Sequence, residues 1–271
     1  MELFHVSHGA GLPVIALHGY SATHYSWRHL IEAVAREREL ILFDLKGHGR
    51  SPKPENGKYS LRDQAELVHD YIRARDLKGI TLIGHSMGGG VALILASRLL
   101  AERPDRLKAL VHVAGVSFPQ PLAIFARLAR IPYVGEAGLS LLPAKLVVRA
   151  SLYVAFHDRR RITEDMVEAY AANFADRAGI RAIIAITPHV VPPNIEPVLD
   201  AIDAAKIPVL LLWGSHDAVV PLKLGRRLHA RLKNSRLHVI ENCGHIPHEE
   251  TPERAVPVIA EFVACGGFPP A

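Results

Sequence analysis

The chain has 271 residues, 49% hydrophobic and 22% charged, enough apolar side chain to bury a large core in one domain with an insertion. A net charge of +5, with basic residues scattered among acids, argues against nucleic acid as a partner, and no apolar run reaches the roughly 18 residues that span a bilayer. Two cysteines are too few for a disulfide framework, and Met1-Glu2-Leu3-Phe4-His5-Val6 is neither a basic leader nor an apolar signal segment, so a cytoplasmic location is expected.

Short strands are predicted near residues 2–6, 13–17, 39–43, 80–84, 107–113, 208–213 and 236–240, with helices between them; that alternation implies parallel pairing. The second strand leads into Leu17-His18-Gly19-Tyr20. Apolar residues at 27, 30, 31 and 34 then predict a helix over Trp27–Arg36, before the third strand opens onto Asp44-Leu45-Lys46-Gly47-His48-Gly49-Arg50-Ser51. The aspartate of that loop is read as tying a tight turn. Ser60 can cap a helix that carries Leu61, Ala65, Val68 and Ile72 on one face.

The fourth strand runs into Gly84-His85-Ser86-Met87-Gly88 and then an aliphatic stretch from Val91 to Leu100. Glycines two residues to either side of Ser86 remove the β-carbons that would collide in a sharp strand-to-helix bend, and Gly89 and Gly90 let the helix lie close to the sheet. Such a bend exposes one side chain, and Ser86 is the candidate nucleophile. From about 116 to 200 the alternation stops, and Pro119, Pro121, Pro132 and Pro143 break up aliphatic stretches. This region is expected to be a helical cap, residues 116–200, on a core domain made of residues 1–115 and 201–271. Its apolar side chains Phe118, Leu122, Phe125, Leu128, Leu139, Leu142, Val147, Leu152, Tyr153 and Phe156 exceed what a solvated lid needs, so some must face the core or an apolar pocket. Arg159-Arg160-Arg161 reads as a solvated helix start.

A serine hydroxyl is too weakly acidic to attack an ester at neutral pH without a base and an orienting acid. After 200, the strand Pro208–Trp213 ends in Gly214-Ser215-His216-Asp217, which offers Asp217 as the acid. The strand Leu237–Ile240 ends in Glu241-Asn242-Cys243-Gly244-His245, which offers His245 as the base. His85 is expected to point away from Ser86 and to pack, and His216 and His248 to lie wrongly for the base. His18 is read as a buried loop histidine bonded to backbone, and Cys243 as a small packing residue.

On these residues the chain resembles the α/β-hydrolase family, in its serine esterase and lipase branch, and is also similar to meta-cleavage product hydrolases. The Leu17–Tyr20 and Asp44–Ser51 segments, the Gly84–Gly88 elbow, Gly214–Asp217 and Gly244-His245-Ile246-Pro247-His248-Glu249-Glu250-Thr251-Pro252 each follow a predicted strand, and the order Ser, Asp, His is that family's order. The resemblance implies a mostly parallel sheet with helices on both faces, a site at its carboxyl edge, and a cap inserted after the sixth strand, the one ending Val113-Ala114-Gly115-Val116. That strand end has no carboxylate, which favours Asp217 over an acid placed there. The oxyanion hole implied is two backbone N–H groups, of Met87 after the nucleophile and of Tyr20 on the early loop.

The sixteen histidines include no His-Glu-x-x-His and no paired Cys/His spacing, and the glycines at 84–90 lack the Lys-Ser/Thr of a phosphate loop, so neither a metal nor a cofactor is expected. The activity read from the sequence is hydrolysis of carboxylic esters of small to medium acyl groups through an acyl-enzyme. Carbon–carbon bond hydrolysis of the meta-cleavage type, cofactor-free perhydrolase or haloperoxidase activity, and a non-catalytic ligand-binding module stay open. Epoxide hydrolase and haloalkane dehalogenase chemistry is disfavoured, because those relatives carry aspartate at the Ser86 position. The partner expected is a small-molecule ester, and the chain is read as a monomer or a homodimer.

Overall fold

Aliphatic runs bounded by turn residues form the middle of a seven-stranded sheet: β1 (His5–His8), β2 (Leu12–Leu17), β3 (Arg38–Phe43), β4 (Ile80–His85), β5 (Leu107–Val113), β6 (Val209–Gly214) and β7 (Ser235–Ile240). In this computed structural model the strand order is β1-β3-β2-β4-β5-β6-β7, all neighbours parallel except β1, which runs antiparallel to β3. The structure describes residues 1–269 apart from Asn56, Ala123, Arg130, Pro132, Tyr133 and Pro193, and apart from the side chains of residues 125, 128, 129, 134, 135 and 137. The expectations for Pro132 and for the Phe125 and Leu128 side chains therefore lie outside the described residues.

The helices are α1 (Ile31–Val34), α2 (Leu61–Ala74), α3 (Met87–Glu102), α4 (Ile124–Ala129), α5 (Val134–Leu141), α6 (Ala144–Ala155), α7 (Glu164–Ala171), α8 (Arg177–Ile186), α9 (Glu196–Ala205), α10 (Leu222–Arg231), α11 (Pro247–Glu250) and α12 (Pro252–Cys265). Alternation along the strands divides the core in two. Ile15, Leu17, Ile41 and Phe43 pack with α2, α3, α9 and α10, while Val14, Ala16, Leu40 and Leu42 pack with Trp27 and α12 on the other face. A third apolar cluster joins α6, α7 and α8 to Tyr20, Ala22, Val219 and Ile246 from loops at the carboxyl edge of the sheet.

Three expectations are adjusted. The first strand begins at His5, because Phe4 instead bonds Ser51 Oγ through its N–H and the Asp44 amide through its carbonyl. The helix expected over Trp27–Arg36 is a 3-10 helix over His24–Leu30 followed by the short α1; the Thr23 side chain caps Tyr25, two residues on, which opens the tighter turn. The inserted helices follow the fifth strand of this chain, β5, and not a sixth. By contrast α2 starts as read: Ser60 Oγ accepts from the Asp63 amide and the Asp63 carboxylate accepts from the Ser60 amide. Leu61, Ala65, Val68 and Ile72 are all buried.

Of the apolar residues between 116 and 200, Phe118, Leu152 and Phe156 are buried, whereas Leu142 and Tyr153 are exposed. Arg159–Arg161 is an exposed 3-10 turn capped by Asp158. Both cysteines are free, and among the described residues no helix is long and apolar enough to cross a membrane.

The chain moves outward from β2 to β3 and then returns past β2 to β4, so the winding reverses between β2 and β4, where open α/β sheets form a crevice at their carboxyl ends. The β4–α3 bend sits there. Ser86 has φ 51° and ψ −117°, and its carbonyl accepts from the amides of Gly89, Gly90 and Val116. A β-carbon on Gly84 would stand 2.4 Å from the Gly88 carbonyl oxygen, and one on Gly88 would stand 2.2 Å from that of Leu17. Backbone has nowhere to go here, so Gly88→Ala is expected to destabilise the fold by about 3 kcal/mol; a urea midpoint unchanged from the native chain would contradict this packing.

Candidate active site

Each of the three side chains singled out above leaves a strand at its carboxyl end. Ser86 directly follows β4, Asp217 lies three residues past β6, and His245 lies five past β7. The fold brings them into one line: Ser86 Oγ is 2.9 Å from His245 Nε2, and His245 Nδ1 is 2.9 Å from Asp217 Oδ2. All three are buried. An ionised carboxylate only accepts, so Nδ1 carries the imidazole proton and Nε2 accepts the hydroxyl hydrogen of Ser86. Asp217 is fixed in turn, its Oδ1 accepting from the amides of Val219 and Val220 at 2.8 Å each. A hydroxyl bonded to an imidazole whose second nitrogen faces a carboxylate is the arrangement in which the imidazole can take the hydroxyl proton.

Met87 is buried at the first turn of α3, and Gly19 and Tyr20 line the same cavity as Ser86. The Tyr20 hydroxyl lies 2.7 Å from Thr187 Oγ1 and donates to the Ile183 carbonyl, tying the loop after β2 to the end of α8. The neighbouring His18 is wholly buried; its Nε2 accepts from the Leu45 amide and its Nδ1 donates to the Gly19 carbonyl. Burial pushes its pKa down to about 4. Asp44 accepts from the His24 amide and ring on one oxygen and from the Arg50 amide on the other, which is the turn tie expected of it.

The other histidines find separate partners. His216 stacks on His157, and His248 on Trp27 with ring centroids 4.2 Å apart. His85 does more than pack: its Nε2 donates to the main-chain carbonyl of His245, and burial holds it neutral by driving its pKa well down. Burial pushes the Cys243 thiol up to about 12, so it is no thiolate nucleophile at neutral pH.

Sequence patterning missed the fastening of the His245 loop. The His245 amide donates to the Ala155 carbonyl at the end of α6, at 2.6 Å. Glu250, fully buried, accepts from the Gly244 amide with one oxygen and from the Asp158 amide with the other. Asn173 does the same for the loop after β2, donating to the carbonyls of Ser21 and Ala22 and accepting from the Gly49 amide. The available signal was the pair of adjacent acids after His245, which read equally well as the start of a helix.

Above these groups is a cavity of about 850 Å³, its open mouth included. Val116, Leu122, Val148, Leu152, Val190 and Val219 supply much of its apolar wall, and no lysine or arginine is among the described residues lining it.

A sequence model of the alpha/beta hydrolase fold matches residues 13–252. The chain is 30% identical to the 2-hydroxymuconate semialdehyde hydrolase of Pseudomonas putida, over 94% of this chain and 88% of that protein. It is 29% identical to the uncharacterized hydrolase YugF of Bacillus subtilis, over 92% of this chain and 89% of that one. Among solved structures, a thermophilic esterase from Thermogutta terrifontis superposes with a TM-score of 0.80 at 22% identity, covering 98% of this chain and 94% of that chain.

The buried neutral histidines make stability depend on pH. His18 and His112, both pushed down to about 4 by burial, stay neutral in the folded chain while unfolded histidine binds a proton below about 6.5. The unfolded state therefore holds more protons between these values, and stability falls as pH drops from about 6.5 to 4, by on the order of 3 kcal/mol for each residue. Urea midpoints measured from pH 7 to pH 4 are expected to decline through this window; a flat profile would mean that these rings protonate within the fold.

Proposed function

Because the chain belongs to the alpha/beta hydrolase fold family, we propose that it is a serine hydrolase that cleaves carboxylic esters of small to medium acyl groups. The observation that carries this reading is the unbroken line from Ser86 Oγ through His245 to Asp217. His245 takes the Ser86 proton as the hydroxyl oxygen attacks the ester carbonyl, and Asp217 stabilises the imidazolium. The amides of Met87 and Tyr20 receive the charge on the carbonyl oxygen, helped by the N-terminus of α3. Collapse expels the alcohol, which takes its proton from His245, and leaves Ser86 acylated; water, deprotonated by His245, then releases the acid.

In this reading residues 1–115 and 201–271 form the catalytic core and 116–200 a helical cap that roofs the apolar cavity. Leu122, Val148, Leu152 and Val190, all between 116 and 200, line that cavity together with Ser86. An uncharged acyl or alkyl group suits such walls.

Carbon–carbon bond hydrolysis is the second reading, supported by the relative from Pseudomonas putida. Its named substrate is a carboxylate, and the lack of lysine or arginine among the described lining residues weighs toward a neutral ester.

Ser86→Ala is expected to abolish turnover of p-nitrophenyl butyrate and labelling by a fluorophosphonate probe, with an unchanged circular dichroism spectrum. Asp217→Asn, which leaves the imidazole in the wrong tautomer, should lower kcat by about 10³–10⁴. Near-native rates for either variant would reassign the residue. Labelling of Ser86 without ester turnover would move carbon–carbon cleavage to the front.

A further inference from the structure

One wall of the cavity is built from polar groups that ester cleavage does not use. Glu249 lies on α11 four residues past His245, is 3% exposed, and lines the cavity with Ser26 and Tyr170. Its Oε1 accepts from the Tyr170 hydroxyl and, at 3.0 Å, from Ser26 Oγ; its Oε2 accepts from Arg28 Nη1. Ser26 Oγ in turn lies 2.9 Å from His248 Nε2, on the ring that stacks against Trp27. Burial, with the nearby Glu249 carboxylate, drives the Tyr170 phenol well above its ordinary range, so it remains a neutral donor.

A carboxylate offers about four acceptor positions, and these contacts occupy three. Gln120, on the segment after β5, lines the same cavity, and its buried Oε1 has no hydrogen-bond partner. An amide oxygen buried in this way is unfavourable until a donor reaches it. Both features therefore call for a hydrogen-bond donor on the bound molecule. A carboxylate would face Glu249 directly, and an ammonium gains little because Arg28 already balances that charge. A neutral hydroxyl can donate its one hydrogen to either acceptor without bringing a second charge into the cavity.

We propose that Ser26, Tyr170, Glu249 and Gln120 form a polar subsite through which the cavity prefers esters bearing a neutral hydroxyl group over their purely aliphatic counterparts. Arg28 acts from behind, holding the Glu249 carboxyl in place and opposing the burial that pushes it above the ordinary carboxylate range. The proposal deepens the ester reading above and rests on it.

The test measures binding separately from turnover. The full chain carrying Ser86→Ala is titrated by NMR with two near-isosteric pairs, 2-hydroxyethyl butyrate against propyl butyrate and ethyl 4-hydroxybutyrate against ethyl pentanoate. The hydroxylated member of at least one pair is expected to bind about tenfold more tightly. Glu249→Leu made together with Arg28→Met, so that neither charge is buried alone, should bring the ratio to about one. Tyr170→Phe keeps the ring and removes only the hydroxyl, and should lower the ratio about threefold. Ratios near one for both pairs in the Ser86→Ala chain overturn the subsite, as does a preference that survives all these substitutions or a failure of both hydroxylated esters to bind. Native chain is assayed in parallel on p-nitrophenyl butyrate. Absence of turnover there overturns the ester reading, while the binding ratios still decide the subsite.

Discussion

The Glu250 carboxylate, buried between the amides of Gly244 and Asp158, is the contact on which the geometry of the site depends. A buried carboxylate is tolerable only when its oxygens are well bonded, and here the partners come from the loop that presents His245 and from the turn after α6. The His245 amide bonded to the Ala155 carbonyl lies alongside, so the His245 loop and the helices between β5 and β6 hold one another in register. Ile246 carries the same joint into the apolar cluster of α6, α7 and α8. Polar groups set the angle of the joint, and apolar burial holds it shut.

A similar division of labour runs through the histidines. His18, His85 and His248 are buried and neutral, and each uses a ring nitrogen to hold a loop: His18 the turn at Leu45, His85 the carbonyl of His245, His248 the hydroxyl of Ser26. Neutral imidazole suits this work because it supplies one donor and one acceptor on a flat, packable ring. His245 differs from them in its neighbours, with a carboxylate on one side and a hydroxyl on the other.

The strands and the three residues of the Ser86 line were legible because each is a local signal: an apolar run, a glycine spacing, a polar residue just past a strand end. Six of seven strands lie within a residue of where the apolar runs put them. Glu249 and Glu250 were not legible in the same way. Apart from the nearby Gly244 amide, their partners are Ser26 and Arg28 on one side and Asp158 and Tyr170 on the other, separated from them by 79 residues or more, and helical spacing alone gives no reason for two adjacent acids to be buried. The 3-10 helix over His24–Leu30 was missed for a related reason, since apolar spacing does not distinguish it from the first turns of an α-helix.

The backbone of Ser86 is held at φ 51° and ψ −117°, a sparsely populated region that costs a residue with a β-carbon about 1–3 kcal/mol and glycine far less. The fold itself is therefore better served by glycine at that position. A population of such chains under selection for folding alone would drift toward Ser86→Gly, gaining thermal stability while losing the hydroxyl. Serine at this bend therefore keeps a hydroxyl at the expense of stability, and the conflict is confined to a single pair of dihedral angles.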